Sequence, residues 1–276
     1  MPSTDTRKTV TMSGEQIRCF GVGDGMACAD RCHSSYLYEL AGATLLLDCG
    51  EPVSRSFKLT GLPPDSIDAI LLSHLHADHY AGFFMLMQGF WLDQRWRALP
   101  VHAPAEGIES LRLMLRTGYL FDELIGFPLT FAPLAVGRTM ELGAARVTAF
   151  PTKHLESLRQ AFQAKYPVEF AAHSFLIEHG GRRLGHSADL GAPQDLEPML
   201  RAPLDLLVCE IAHFEAEELF TYLQHRPVRR LALIHLGRPY WGRQDEVLAL
   251  AAKMLPGLPV EIPRDGSVLE IPAALR

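Results

Sequence analysis

One short stretch constrains this chain more than any other: Ser73-His74-Leu75-His76-Ala77-Asp78-His79, which directly follows the apolar run Ile67–Ser73. An apolar, β-branched run of that length reads as a buried strand. Three imidazoles and a carboxylate at the end of such a strand are a metal-ligand set rather than a surface decoration. His74 and His76, two apart, can point the same way and bind one ion as a pair. Asp78 and His79 follow in the turn and can reach a second ion nearby. Imidazole with carboxylate suits Zn²⁺, and also Mn²⁺ or Fe²⁺. Chance would give this pattern in roughly one chain in a thousand of this histidine and aspartate content.

The rest of the sequence reads as an ordinary globular chain, with a hydrophobic share of 48% and a charged share of 21% over 276 residues. That excludes intrinsic disorder and gives enough chain for a large core without disulfide staples. The five cysteines are odd in number, and Cys49 and Cys209 fall in or beside apolar runs, so a reducing cytoplasm is the expected compartment. Cys28 and Cys32 form a lone C-x3-C pair, which reads as small side chains in a loop. The first residues, 1–14, carry no signal-peptide core, and no apolar stretch approaches the ~20 residues of a membrane span. A formal net charge of −6 argues against a large electrostatic footprint for nucleic acid.

Short apolar runs alternate with helical patterns. Strands are expected at 16–20, 35–40, 43–48, 67–73, 146–150, 173–178, 183–186, 204–210 and 230–234, with a hairpin signal at Glu178-His179-Gly180-Gly181. Helices are expected at 80–92, 105–118, 156–165, 194–200, 215–225 and 244–254. Strands preceding helices, with hairpins among them, predict an α/β layered fold with mixed sheets. Residues 1–276 read as one domain. Residues 83–131, rich in Phe, Leu, Met and Trp, read either as a helical flap walling a pocket or as a helix packed on the sheet.

The histidine motif resembles the signature of the metallo-β-lactamase fold superfamily. The chain supplies the further residues of that pattern in order, in Phe150-Pro151-Thr152-Lys153-His154, in Gly185-His186-Ser187-Ala188-Asp189 and in Leu233-Ile234-His235-Leu236-Gly237. The turn Phe20–Gly25 and the Leu47-Asp48-Cys49-Gly50 segment also look like early strand ends of the family. The resemblance implies a four-layer αβ/βα sandwich of two mixed sheets flanked by helices. It implies one metal ion held by His74, His76 and His154, and a second held by Asp78, His79 and His235, with Asp189 bridging. Asp48 would orient a ligand histidine. Two ions ~3.5–4 Å apart imply a hydrolase that attacks with a metal-bridging hydroxide.

Within the superfamily, the stretch from Asp205 to Phe214 is similar to the H-E-A-T-F segment of the tRNA 3′-processing endonucleases (tRNase Z), and Ser34-Ser35 looks like that branch as well. Cys209 departs from the pattern by standing where the family has histidine before the glutamate. Only 25 positions separate Glu210 from His235, too few for the family's later H-S-T segment. No long Gly/Pro-rich insertion of the tRNA-clamping kind is present. His213 occupies a place similar to that of a leaving-group proton donor in small phosphodiesterases of this branch, and Glu210 would orient a metal-bound histidine or be a satisfied buried carboxylate. Asp78, His213 and Glu210 are the expected catalytic residues.

The expected activity is therefore a dinuclear phosphodiesterase acting on a small or single-stranded phosphodiester, with two divalent ions, zinc first and manganese or iron as options. No extensive nucleic-acid surface, no membrane and a homodimer are the accompanying expectations. A lactone or thioester hydrolase using Tyr80 or Tyr240 is the alternative, followed by an iron-dependent oxidative enzyme and a non-enzymatic sensor. His33, His102, His173, His179 and His225 are expected at the surface, and His186 either lines the pocket or faces away from it. Arg238, Tyr240 and Trp241 follow His235 closely enough to touch substrate.

Overall fold

Alternation inside almost wholly apolar strands sets the layering. In Ser35–Leu40, Tyr36 and Tyr38 join one core cluster while Leu37 joins another, and in Leu206–Ile211, Leu206 and Val208 part in the same way from Leu207 and Cys209. A strand buried on both faces needs a layer on each side. The computed structural model describes residues 14–274, and residues 1–13, where no signal-peptide core was read, lie outside the described residues.

The first six strands are β1 (Gln16–Gly21), β2 (Ser35–Leu40), β3 (Ala43–Leu47), β4 (Ala69–Leu71), β5 (Leu99–Ala103) and β6 (Leu129–Pro133). They form one sheet. The next seven form a second: β7 (Thr139–Leu142), β8 (Ala145–Pro151), β9 (His173–His179), β10 (Arg182–His186), β11 (Leu206–Ile211), β12 (Leu231–Leu236) and β13 (Val260–Glu261). The last, β14 (Val268–Glu270), returns to the edge of the first sheet beside β1, giving orders 14-1-2-3-4-5-6 and 13-12-11-10-9-8-7. Each sheet is antiparallel in one half and parallel in the other, the change falling at β3 and at β10.

Helices α1 (Val53–Leu59), α2 (Ala77–Tyr80), α3 (Phe83–Leu92), α4 (Ile108–Thr117), α5 (Asp122–Ile125) and α6 (Glu156–Phe162) follow in chain order, then α7 (Ala216–Leu223) and α8 (Gln244–Met254). Phe57, Phe83, Phe90 and Leu111 pack on the outer face of the first sheet, and Leu219, Phe220, Val247 and Ala251 on that of the second. The result is the expected four-layer sandwich. Among the described residues no helix is long and apolar enough to cross a membrane. The β9–β10 hairpin turns on Gly180 and Gly181, both at positive φ, as the Gly-Gly signal required.

Residues 83–131 depart from a helical flap. They contain β5 and the start of β6, paired in parallel at the end of the first sheet, and α3 drives Phe83, Leu86, Met87 and Phe90 into the core. The second reading, a helix on the sheet, fits α3, while α4 borders a cavity next to the histidine motif. The run 67–73 forms a strand only over Ala69–Leu71, because Ser73 already turns away to bond Asp48.

Candidate metal centre

The parallel halves of both sheets end at the same rim, where loops leaving strand C-termini converge. The loop after β4 carries His74 and His76, and α2, which follows it, carries Asp78 and His79; the loop after β8 carries His154, and that after β10 carries Asp189. His235 lies inside β12, at a bulge: Glu210 pairs with Ile234 but Ile211 pairs with Leu236. The unpaired residue takes φ +49° and donates its N–H to the Val22 carbonyl at 2.9 Å, which re-aims the ring toward the rim. Asp48 (φ +58°) and Ala188 (φ +45°), just before Asp189, also adopt the left-handed region. Such backbone costs ~1–3 kcal/mol per non-glycine residue and gathers where function demands it.

The structure brings all seven expected ligands together. His74, His76, His154 and Asp189 each offer an atom within 4.8 Å of the others, and Asp78, His79 and His235 do the same. Asp189 lies between them. Its Oδ2 is 3.7 Å from His74 Nε2, 3.5 Å from His154 Nε2 and 3.5 Å from His235 Nε2, and its Oδ1 is 3.3 Å from His79 Nε2. These separations are long for hydrogen bonds. They match the ~3.3 Å edge of a tetrahedron whose corners lie 2.0–2.1 Å from one ion. His74 Nε2, His79 Nε2 and Asp189 Oδ1 are buried with no hydrogen-bond partner among the described residues. Buried polar atoms left unpaired are costly, and divalent cations held at the centre would satisfy all three. The donor set fits a divalent metal centre.

A hydrogen-bond network fixes which ring nitrogen faces the centre. Asp48 accepts from the Ser73 N–H at 2.7 Å, the Ser73 hydroxyl at 2.8 Å and His79 Nδ1 at 2.6 Å. With its proton given to Asp48, Ser73 Oγ accepts from His74 Nδ1 at 3.0 Å. One carboxylate thereby sets both rings with Nε2 toward the centre. Ser34 Oγ does the same for His235 through Nδ1 at 2.9 Å. His76 instead turns Nδ1 inward, 3.1 Å from His154 Nε2. Thr152 Oγ1 donates to the Asp189 carbonyl, and Asp195 accepts from the N–H groups of Lys153 and Gly191, lacing the two loops together. A Cβ on Gly191 would meet Lys153 backbone at 2.7 Å, so only glycine fits there.

The titration behaviour follows from burial and mutual charge. Burial, reinforced by the charge of His79, holds His74 well below the histidine range; burial also lowers His154 to about 3. Those rings stay neutral, as metal ligation requires. For His79 burial is outweighed by Asp189 and Asp48, which raise it well above the usual value. Burial opposes ionisation of Asp78, but His79 and His235 bring it down to about 2.

Glu210 and His213 form a unit beside the centre. Buried Glu210 accepts from the N–H groups of Leu190 (2.7 Å), Ala212 (2.7 Å) and His213 (3.2 Å), and from His213 Nδ1 at 2.9 Å. The histidine it orients is thus His213, whose Nε2 lies 3.9 Å from Asp189 Oδ2. Burial works against charge on this ring, but the bond and charge of Glu210 raise its pKa above the ordinary value. Its side chain is 33% exposed, against 0–5% for His74, His79, His154 and His235.

The other residues that the sequence singled out also find their places, His173 elsewhere than expected. His173 is buried, its Nδ1 donating to the Ser73 carbonyl at 3.0 Å, so it braces the motif loop from behind. His186 faces the space between the sheets, bonded to the Tyr38 hydroxyl at 2.9 Å. Cys209 points to the helical layer on the outer face, away from the rim. Tyr240 is engaged by Glu215 and the Ala216 N–H, while Trp241 stacks under Arg31. Sequence reasoning missed Ser73, Thr152 and Asp195; only Ser73 carried a signal, its place inside the motif.

Comparison with known proteins was made on this geometry. The family described as "Beta-lactamase superfamily domain" matches residues 43–253. Ribonuclease Z of Bradyrhizobium diazoefficiens is 25% identical over 86% of this chain and 93% of its own length. Ribonuclease Z of Methanopyrus kandleri is 31% identical over 50% of this chain and 46% of its own, and this chain spans about half the length of several other relatives of that name. Among solved structures, the metallo-beta-lactamase fold protein YhfI of Bacillus subtilis aligns with TM-score 0.72 at 20% identity, covering 93% of this chain and 99% of that one. The short form of human tRNase Z gives 0.70 at 16%, covering 94% and 100%. These two likenesses speak to the fold. One expectation falls here. The absence of an extensive nucleic-acid surface, argued from net charge and a missing clamp, does not survive a relative that is a ribonuclease by name and is matched along 93% of its length. Net charge sums the whole surface and is blind to a cationic centre sunk in an acidic chain.

Proposed function

The chain belongs to the beta-lactamase superfamily and is a metal-dependent hydrolase, and from that premise we propose that it is a phosphodiesterase cutting a nucleotide phosphodiester. The observation that carries the reading is the position of Asp189, whose carboxylate is shared between the donor sets on either side, with the Glu210–His213 pair at its flank. His74, His76 and His154 with Asp189 would hold one ion, and Asp78, His79 and His235 with Asp189 a second, zinc being the first choice for such donors. Two divalent ions so placed supply Lewis acidity toward a phosphoryl oxygen and activate water at neutral pH.

The chain's own groups supply the rest. Asp48, Ser73 and Ser34 hold the ligand rings, so little reorganisation is needed when substrate arrives. Glu210 keeps His213 Nδ1 protonated and its Nε2 directed at the centre. A histidine raised by a carboxylate and partly open to solvent suits proton donation to the departing oxygen. Its side chain is more open to solvent than those of His74, His79, His154 and His235. Relatives named ribonuclease Z support a phosphodiester over a carboxylic ester.

The test is hydrolysis of bis(p-nitrophenyl) phosphate against a simple lactone, with protein loaded separately with Zn²⁺, Mn²⁺ and Fe²⁺ and bound metal counted. Phosphodiester turnover is the expected result. Lactone turnover alone would overturn the proposal.

A further inference from the structure

Next to the histidine motif lies a cavity of about 370 Å³, within the ~300–1,000 Å³ of small-ligand pockets. Three walls build it. Leu75, His76 and Tyr80 come from the motif loop; Gly107, Ser110, Leu111 and Met114 form one face of α4 and the turn before it; Leu155, Leu158, Val168 and Phe170 close the third side. His76 belongs both to this lining and to the metal-ligand cluster, so whatever occupies the cavity sits beside the reacting centre.

The lining dictates the kind of occupant. It contains no lysine or arginine. Its single acid, Glu106, is committed to backbone, accepting from the N–H groups of Glu169, of Phe170 at 3.0 Å and of Ala171 at 3.0 Å. That clamp ties the third wall to the start of α4 and holds Phe170 at φ +52°, a strained conformation for a non-glycine residue. On the opposite side Leu75 lies directly against Gly107, where a Cβ would meet Leu75 Cδ1 at 2.6 Å and displace that side chain. A phosphate would find no counter-charge in this cavity and a carboxylate against it. An uncharged ring finds aromatic faces on two walls and a thioether on the third, with the hydroxyls of Ser110 and Tyr80 available to its edge.

We propose that this cavity holds an uncharged ring of the substrate, a nucleobase next to the scissile phosphodiester, while the phosphate itself lies at the centre. The assignment rests on the phosphodiester reading above and adds to it which part of the substrate gives selectivity. Base stacking on such side chains contributes ~1–3 kcal/mol per base, about a five- to 150-fold effect.

Two diesters with the same leaving group test it: thymidine 5′-(p-nitrophenyl) phosphate and methyl p-nitrophenyl phosphate. Metal-loaded wild type is expected to prefer the nucleoside diester at least about tenfold in kcat/KM. Met114→Trp fills the cavity from a side chain 46% exposed, so folding is not at risk, and it should abolish that preference. Leu113→Trp, on the same helix but outside the lining and 64% exposed, should keep it. Calorimetric binding of adenosine to the metal-loaded protein is the second readout, and Met114→Trp should weaken it at least about tenfold. Equal use of both diesters by wild type, or equal effects of the two tryptophans, would overturn the pocket assignment and leave the phosphodiesterase reading standing. Adenosine binding lost in Met114→Trp without turnover of either diester would uphold the pocket and overturn the reaction. Neither turnover nor binding would overturn both.

Discussion

The two sheets build their halves of the centre in opposite ways. The first sheet delivers His74, His76, Asp78 and His79 from one stretch after β4, a loop that runs into α2, steadied by one carboxylate, Asp48. The second delivers His154, Asp189 and His235 from three separate places, each with its own device: a laced loop, a left-handed residue before the aspartate, and a bulge. A local half is specified by consecutive residues and formed with one turn. A distributed half exists only once β8, β10 and β12 are in register. The comparison says that the first half should tolerate loss of distant packing, and that the second should be sensitive to any change of register.

The sharpest way to break this comparison is at the residue of the second half that both proposed ion sites share. Asp189→Ala should lower kcat/KM by on the order of 10⁴-fold, as for groups that act as a unit, with bound metal falling in elemental analysis. Unchanged metal content would remove its bridging assignment. His213→Ala comes next, expected to cost ~10²–10⁴-fold in kcat on diesters with poor leaving groups and much less on nitrophenyl esters, with metal content intact. Equal losses on both substrates would remove its role as proton donor. Asp48→Asn, which weakens the support of His79 and His74 together, should reduce metal affinity by ~10–100-fold in a chelator competition. Ser34→Ala removes a single hydroxyl contact to His235 and should lie at the lower end of that range, about tenfold. If Ser34→Ala cost more than Asp48→Asn, the local half would not be the better-supported one.

The same division governs how much the sequence reveals. The motif loop is legible because its ligands fall within six residues, whereas the role of Asp48 came through the resemblance. His154, Asp189 and His235 came through the resemblance, since nothing local distinguishes them from other histidines and aspartates. In the fold, the edge strands β6, β7, β13 and β14 all escaped detection, because an edge strand is exposed on one side and carries a weaker apolar pattern. β5 escaped for another reason: it lies among the Phe, Leu and Trp of 83–131, where apolar content without clear alternation reads equally as helix. His173 was expected at the surface, yet its contact is with Ser73, 100 positions away. A side chain's neighbours in another loop leave no mark on its own surroundings in the sequence.

The central claim is a two-ion centre assembled from a local and a distributed half, and anomalous diffraction from crystals of the zinc-loaded protein tests it most directly. The account predicts two peaks, one among His74, His76, His154 and Asp189, the other among Asp78, His79, His235 and Asp189. A single peak, or a second one away from His235, would contradict it.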